Sequence, residues 1–364
     1  MRWVRRILIG VIVLVVVLVV VLAATIRLTT FHPPQVAAQD VTCAEDAPEL
    51  HTGQAVKVMS WNVQYMAGKD YVFWYDLLDE SGPDERPSPQ AITATFEEVA
   101  RVIADEQPDV LLLQEVDDGA ARTDGEDQLE RLLGLLDGDY ACHASAFYWQ
   151  AAFVPHPQVM GAVGMKLSTV SRYRIDDATR YQLPQMPSDL LTRQFDIRRA
   201  TLETRLPTAG GSDLVVLNTH FDAFAQGSDT MQRQVALTRN QLDALTAAEE
   251  PWVLGGDFNL LPPGEQYDRL GPPQQAYYAP DSELAVLTDA YGSVPSVEQA
   301  TGPDAEQWFT HYPNDPAVDG PDRTIDLLFH APNLVLGDHT VRSRDTLEIS
   351  DHLPVIATYE LPGS

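Results

Sequence analysis

The chain is poor in basic side chains and in cysteine. Its 364 residues carry 24 Lys and Arg against 53 Asp and Glu, a formal net charge of −29. A surface that acidic repels a polyanion at long range. No stripe of Lys or Arg interleaved with aromatics offers a duplex footprint. Both features weigh against a processive nucleic-acid enzyme, short of one that uses divalent cations as bridges. Only two cysteines are present, Cys43 and Cys142, and no Cys/His spacing of the zinc type occurs. In an oxidising compartment the pair could bridge the segment around residue 43 to the domain; two free thiols are the alternative. No repeat with a period of roughly 20–50 residues is found. The hydrophobic content, 45%, is that of an ordinary globular protein.

What is present begins with a membrane address. Arg2, Arg5 and Arg6 precede an apolar stretch over residues 7–24, extended by Thr25 and Ile26. A membrane span takes about 20 apolar residues, whereas a signal-peptide core takes about 7–15. The basic flank lies on the N-terminal side, so the positive-inside bias leaves Met1 in the cytoplasm and the rest of the chain outside. A retained signal anchor over residues 1–28 is expected, with a cleaved signal peptide as the alternative. Cys43 lies too far past the apolar run to look like a lipoprotein attachment point. Residues 29–54 lack a clear period and read as a tether. Residues 55–364 are left as one large domain.

Within that domain, apolar runs repeatedly end on metal- or phosphate-competent groups. Residues 57–62 end on Asn62, residues 110–115 on Glu115 and residues 214–220 on His220. Residues 253–259 stop on Gly255 and Gly256 before presenting Asp257 and Asn259, where glycine is expected to let a ligand approach the backbone. Asp326 sits inside the apolar run 324–329, and Asp351-His352 precedes another run at 353–357. Turn formers commonly close buried strands, but so many ends with such groups point to one divalent-metal site for phosphate esters. Helical spacing recurs between them: Phe96, Val99, Ala100 and Ile103; Leu129, Leu132, Leu133 and Leu136; and residues 230–245. Interleaved strands and helices favour an α/β layered domain.

The wording of these segments resembles the endonuclease/exonuclease/phosphatase (DNase I-like) superfamily: SWNV (60–63), LLLQEV (111–116), STVSRYRI (168–175), NTHFD (218–222), GGDFN (255–259), TIDLLF (324–329) and SDHLPV (350–355). The resemblance covers residues 56–361 and implies a four-layer α/β/β/α sandwich with these strand ends on one rim. It also implies a cation, usually Mg²⁺, with Mn²⁺ or Ca²⁺ as alternatives, to neutralise phosphate oxygens and the leaving alkoxide. Glu115 is then the leading ligand, assisted by Asn62 and Asp351. Asp257 and Asn259 contact the attacking water and a phosphoryl oxygen, and Asp257 also a second metal if there is one. His352 touches the phosphate as base or as hydrogen-bond donor, with its tautomer fixed by Asp326. His220 polarises the phosphoryl group or protonates the leaving group. Whether Asp257 or His352 removes the proton is open. Arg323 pairs with phosphate or makes an ordinary surface salt bridge, and Asn218 and Asp222 orient nearby loops.

One departure concerns the abasic-site endonucleases, which carry an acidic ligand two residues past the first motif's asparagine; here it is Gln64. His220 resembles instead the sphingomyelinase- and DNase I-like members. The inositol 5-phosphatases' basic residue after the Gly-Asp-Phe-Asn core is replaced by Leu260. Two apparent loops, 68–89 with Tyr71, Phe73, Trp74 and Tyr75, and 146–161 with Phe147, Tyr148, Trp149, Phe153 and His156, are expected to carry selectivity or to cap the sandwich edge. The expected activity is a membrane-anchored phosphodiesterase acting on a lipid headgroup or other small phosphodiester. A cell-surface DNA/RNA endonuclease and a non-catalytic phospho-ligand-binding domain are the alternatives.

Overall fold

The computed structural model describes residues 2–69, 71, 82, 87–136, 138, 140–223 and 225–363. Phe73, Trp74 and Tyr75 lie outside the described residues. The chain opens with helix α1 (Arg2–Thr29), which is apolar and exposed along its length. At about 1.5 Å per residue it is long enough to cross a bilayer, a test that an N-terminal signal sequence also passes.

Short strands follow: β1 (Val36–Ala38), β2 (Val41–Cys43) and β3 (Leu50–His51). Then come β4 (Ala55–Asn62), helix α2 (Pro89–Glu106), β5 (Val110–Asp117) and helix α3 (Gln128–Leu133). Two antiparallel pairs, β6 (Cys142–Val154) with β7 (Gly161–Ser171) and β8 (Asp177–Gln182) with β9 (Ala200–Leu206), lead to β10 (Thr208–Ala209) and β11 (Leu214–His220). Helix α4 (Thr230–Ala247), β12 (Trp252–Asp257), β13 (Gly292–Val294), β14 (Asp326–His330), β15 (Val335–Val341) and β16 (Val355–Glu360) complete the set used below.

Two seven-stranded sheets result, β15-β16-β4-β5-β7-β6-β2 and β1-β8-β9-β11-β12-β14-β13. Period-two alternation sorts their side chains. In the first sheet, Met59, Trp61, Leu111 and Leu113 pack outward against Phe96, Val99 and Ile103 of α2. Val58, Val110 and Leu112 join the core that also holds Leu254 and Leu328 of the second sheet and Val235 and Leu242 of α4. The fold is therefore the α/β/β/α sandwich, with both sheets mixed. Helix α2 begins where Ser88 accepts a hydrogen bond from the Ala91 amide and Pro89 takes the first turn.

Three expectations need correcting. Residues 29–54 are not a plain linker, because β1 pairs with β8, β2 with β6 and β3 with β10. Most of 146–161 is not a loop either, since β6 runs to Val154. The glycines before Asp257 serve packing within the sandwich rather than a ligand. A Cβ on Gly255 would lie 2.6 Å from Leu328 Cδ2 and 2.7 Å from Leu112 Cδ1, and one on Gly256 only 2.0 Å from the Thr219 carbonyl oxygen. Between bridge and thiols, the cysteines form the Cys43–Cys142 disulfide, which joins paired positions of β2 and β6.

Candidate active site

Two parallel strand pairs place the polar ends. β4 runs beside β5 with Asn62 opposite Gln114, and β11 beside β12 with His220 opposite Asp257. The antiparallel neighbour β14 sets Asp326 opposite Asp257. Parallel pairing brings C-terminal ends of different strands to the same rim. Asn218, one turn of the pleat below His220, pins the two sheets together. Its amide donates to the Leu113 and Ser168 carbonyls at 3.0 Å each and accepts from Gln114 Nε2 at 2.8 Å.

Asp257 is the hub of the rim. Its Oδ2 lies 3.1 Å from Asn62 Nδ2, 3.2 Å from His220 Nε2 and 3.6 Å from His352 Nε2. Its Oδ1 accepts from the Asn259 amide at 2.9 Å. Asn62 Nδ2 also donates to Glu115 Oε1 at 3.2 Å, while Asn62 Oδ1 accepts from the Gln64 amide. The end that Asn62 turns toward the carboxylates is thus its donor end. On the far side, Asp326 Oδ2 holds His352 Nδ1 at 2.9 Å, leaving Nε2 facing Asp257. Asp351 Oδ1 lies 3.9 Å from His352 Nε2, and its backbone amide donates to Gln64 Oε1 at 3.1 Å. Gln64, the residue in place of an acid, therefore braces Asp351 from behind.

Backbone strain concentrates here. Glu115 has φ 57° within a bulge between Leu113 and Val116, so it projects from inside β5 rather than from its end. Asn259 has φ 50°, and Gln64, Tyr65 and Met66 form a run at positive φ. Non-glycine residues in this region cost of order 1–3 kcal/mol each and cluster at functional sites.

The charges are unbalanced toward acid. Burial pushes the carboxyls of Glu115 and Asp326 up, and those of Asp257 and Asp351 up to about 6. For His352, burial alone would lower the pKa, but Asp326, Asp257 and Asp351 outweigh it and hold the imidazole well above its usual value. His220 goes the other way, well below, through burial and then the nearby Arg199 and His352 cations. A neutral His220 that donates from Nε2 to Asp257 has Nδ1 free to accept from the Tyr148 hydroxyl, 3.4 Å away.

Three buried or half-buried carboxylates lining one cleft, Glu115, Asp257 and Asp351, with Asp326 behind them, form an oxygen-rich set suited to a hard divalent cation. The ligand atoms of Asp257, Asp326 and His352 lie within 4.8 Å of one another, as do those of His311, Asp351 and His352. Glu115 belongs to neither group. A bound cation inverts the local pKa logic, favouring the ionised carboxylates.

Three further side chains stand at the site; His311 and Arg199 carry no motif in the sequence, and Tyr148 is one of the aromatics of 146–161. The His311 ring centroid lies 4.5 Å from that of His352. Arg199 is buried beneath Tyr148, with Nε 3.5 Å from Asp222 and Nη1 without a hydrogen-bond partner among the described residues. Tyr148 itself is the ring behind His220. A basic residue just before a strand and a histidine in an aperiodic segment give no pattern to read. Arg323 is neither a surface ion pair nor a free phosphate ligand. It is 1% exposed, and its guanidinium is engaged by Asp322, Gln274 and Tyr278. Asp222 accepts from Gln234 of α4, which ties its loop to that helix. All the candidate residues but Asn62, Asn218 and Asp326 line a single cleft of about 1350 Å³, and those three stand directly behind it.

The family model described as endonuclease/exonuclease/phosphatase family matches residues 59–352. The chain belongs to this family. Membership makes it a hydrolase of phosphate esters at the level of the superfamily. No curated protein sequence matches the chain. Among solved structures, an endonuclease/exonuclease/phosphatase from Beutenbergia cavernae DSM 12333 is similar at 23% identity and TM-score 0.57, over 85% of this chain and 72% of that one. The human Nocturnin catalytic domain with bound sulfate aligns at 17% identity and TM-score 0.50, over 88% and 96%. A family member from Leptotrichia buccalis C-1013-b aligns at 15% and TM-score 0.53, over 84% and 100%. At these identities the likeness is one of fold.

Proposed function

We propose that this family member is a Mg²⁺-dependent phosphodiesterase, held to a membrane by α1 with its domain outside, and acting on a lipid headgroup or other small phosphodiester. The observation that carries the reading is Asp257 Oδ2 in reach of Asn62, His220 and His352 at once. Glu115, Asp351 and Asp257 would hold the cation, which supplies charge neutralisation at the phosphate and at the leaving oxygen. Asp257, with Asn259 fixed against its Oδ1, orients the attacking water and takes its proton. His352, kept cationic by its three aspartates, donates from Nε2 to a phosphoryl oxygen. His220, neutral, has one N–H, at Nε2, which it shares between Asp257 and a phosphoryl oxygen, and it is not a strong acid. Water adds to phosphorus and gives one proton to Asp257, the ester P–O bond breaks, and the leaving oxygen takes up a proton from solvent, so that an alcohol and a phosphomonoester result. Strong net acidity and a membrane helix favour small or lipid esters over nucleic acid.

The test is a panel of phosphodiesters and phosphomonoesters with the full-length protein and Mg²⁺, Mn²⁺ or Ca²⁺, using His352→Ala as the control. Activity restricted to DNA or RNA would transfer the reading to a surface nuclease. Calorimetry showing no Mg²⁺ uptake by either wild type or Glu115→Ala would support a non-catalytic phospho-ligand-binding domain.

A further inference from the structure

The catalytic cleft has an unexpected wall. Besides the polar rim, it is lined by Leu22, Thr25, Ile26 and Thr29, successive contacts along the last two turns of α1. Leu22 lies four residues inside the end of the apolar stretch at Ile26, about 6 Å deeper at 1.5 Å per residue. If α1 spans a bilayer, a cleft touched by these residues opens at the bilayer face.

The helix end is fixed there. Thr30 forms an antiparallel bridge to Ala151 of β6, and the Phe31 ring lies 5.4 Å from the Arg180 guanidinium. β1 then enters the second sheet only a few residues later. No free tether separates span from domain, so the cleft is held against the membrane rather than carried above it on a stalk.

The remaining rim is composed for that setting. Residues 152–160 and 184–195 border the same opening. In a chain with 53 acidic residues, these two segments hold one acid, Asp189, one Arg, Arg193, and one histidine, His156. Asp189 is turned onto the Leu191 and Thr192 amides. The segments instead expose Phe153, Met160, Met186, Leu190 and Leu191, Leu190 to 82%. Large apolar side chains exposed around one opening mark an interaction surface. Its position around the emerging end of an apolar helix selects a lipid surface as the partner, by continuity with the span.

We propose that the last turns of α1 and the 152–160 and 184–195 segments seat the cleft on the outer leaflet, where it receives a phospholipid whose acyl chains stay in the bilayer. The inference rests on the anchored-phosphodiesterase reading and names its substrate class. The headgroup phosphate would reach the Asp257–His352 rim while α1 lines the path of the glycerol or sphingoid end.

The experiment uses the full-length protein reconstituted in nanodiscs of phosphatidylcholine, phosphatidylethanolamine and sphingomyelin, with Mg²⁺. Headgroup release is measured alongside hydrolysis of bis(p-nitrophenyl) phosphate from solution. Leu190→Glu combined with Met160→Glu should lower headgroup release by about tenfold or more, the effect of keeping apolar side chains out of the lipid. Hydrolysis of the soluble diester should stay within about twofold of wild type, which also certifies the fold. Parallel losses on both substrates, an unchanged lipid rate, or no headgroup release by a wild type active on the soluble diester would each overturn the proposal. Independently of any activity, a fluorophore on Leu190→Cys should be quenched by lipids spin-labelled near the headgroup. Quenching only by an aqueous agent overturns the docking. A wild type inert toward every phosphodiester defeats the activity reading, and the quenching still decides the docking.

Discussion

Asp257 and Asp326 occupy opposite positions of β12 and β14 yet do different work. Asp326 spends both oxygens on His352 Nδ1, at 3.1 and 2.9 Å, and so fixes which imidazole nitrogen faces the cleft. Asp326→Asn leaves a similar shape but removes the largest of the three carboxylate charges that keep His352 protonated. It should lower kcat by about 10²–10⁴-fold with little change in KM, read from steady-state kinetics on a soluble phosphodiester. An unchanged kcat would remove His352 from the reaction. These residues were legible because a polar group closing an apolar run is visible in one dimension. Glu115 was legible in identity but not in geometry: its bulge depends on pairing with β7, which no local pattern encodes. His311 and Arg199 were illegible because their importance comes entirely from what the fold brings beside them.

At the scale of elements, the cleft exists only while two sheets keep their relative position, since Asn62 and Glu115 come from one and His220 and Asp257 from the other. Asn218 is the pin between them. Asn218→Ala would take from Gln114 Nε2 its shortest acceptor, leaving Ser60 Oγ and the Leu112 carbonyl, and would remove the Asn218 donor from two buried carbonyls. A cost of about 2–4 kcal/mol is expected, measured by urea unfolding, together with reduced activity. Gly255→Ala should cost about 1–3 kcal/mol by overpacking Leu112 and Leu328, measured the same way. The disulfide closes a separation of 99 residues, so replacing both cysteines by serine should cost about 2–4 kcal/mol. Helices α2 and α4 were readable from their 3.6-residue period. The strands between residues 29 and 54 were not, because two or three residues are too few to show alternation. β6 misled for a different reason: its inward positions include the small Cys142, Ala144 and Ala146, while Phe147 and Trp149 stand on the less buried side. The apolar pattern therefore runs against the burial pattern.

The whole molecule carries a net charge of −29, and this sets how it meets substrates before any contact forms. For a basic nucleic-acid enzyme, added salt weakens substrate binding because phosphate contacts release counterions. Here the long-range field opposes a polyanion, so salt shortens the repulsion: the Debye length falls from about 30 Å at 0.01 M to about 8 Å at 0.15 M. Any hydrolysis of an oligonucleotide should therefore show kcat/KM rising with ionic strength across that range. A singly charged soluble diester meets far less repulsion and should change little. Both are measured at fixed Mg²⁺, because a cation in the cleft offsets part of the same charge. The contrast separates the two enzymatic readings at the level of the molecule rather than of any one residue. A fall in oligonucleotide kcat/KM with salt would mean that a local basic path overrides the overall field, and would favour the nuclease.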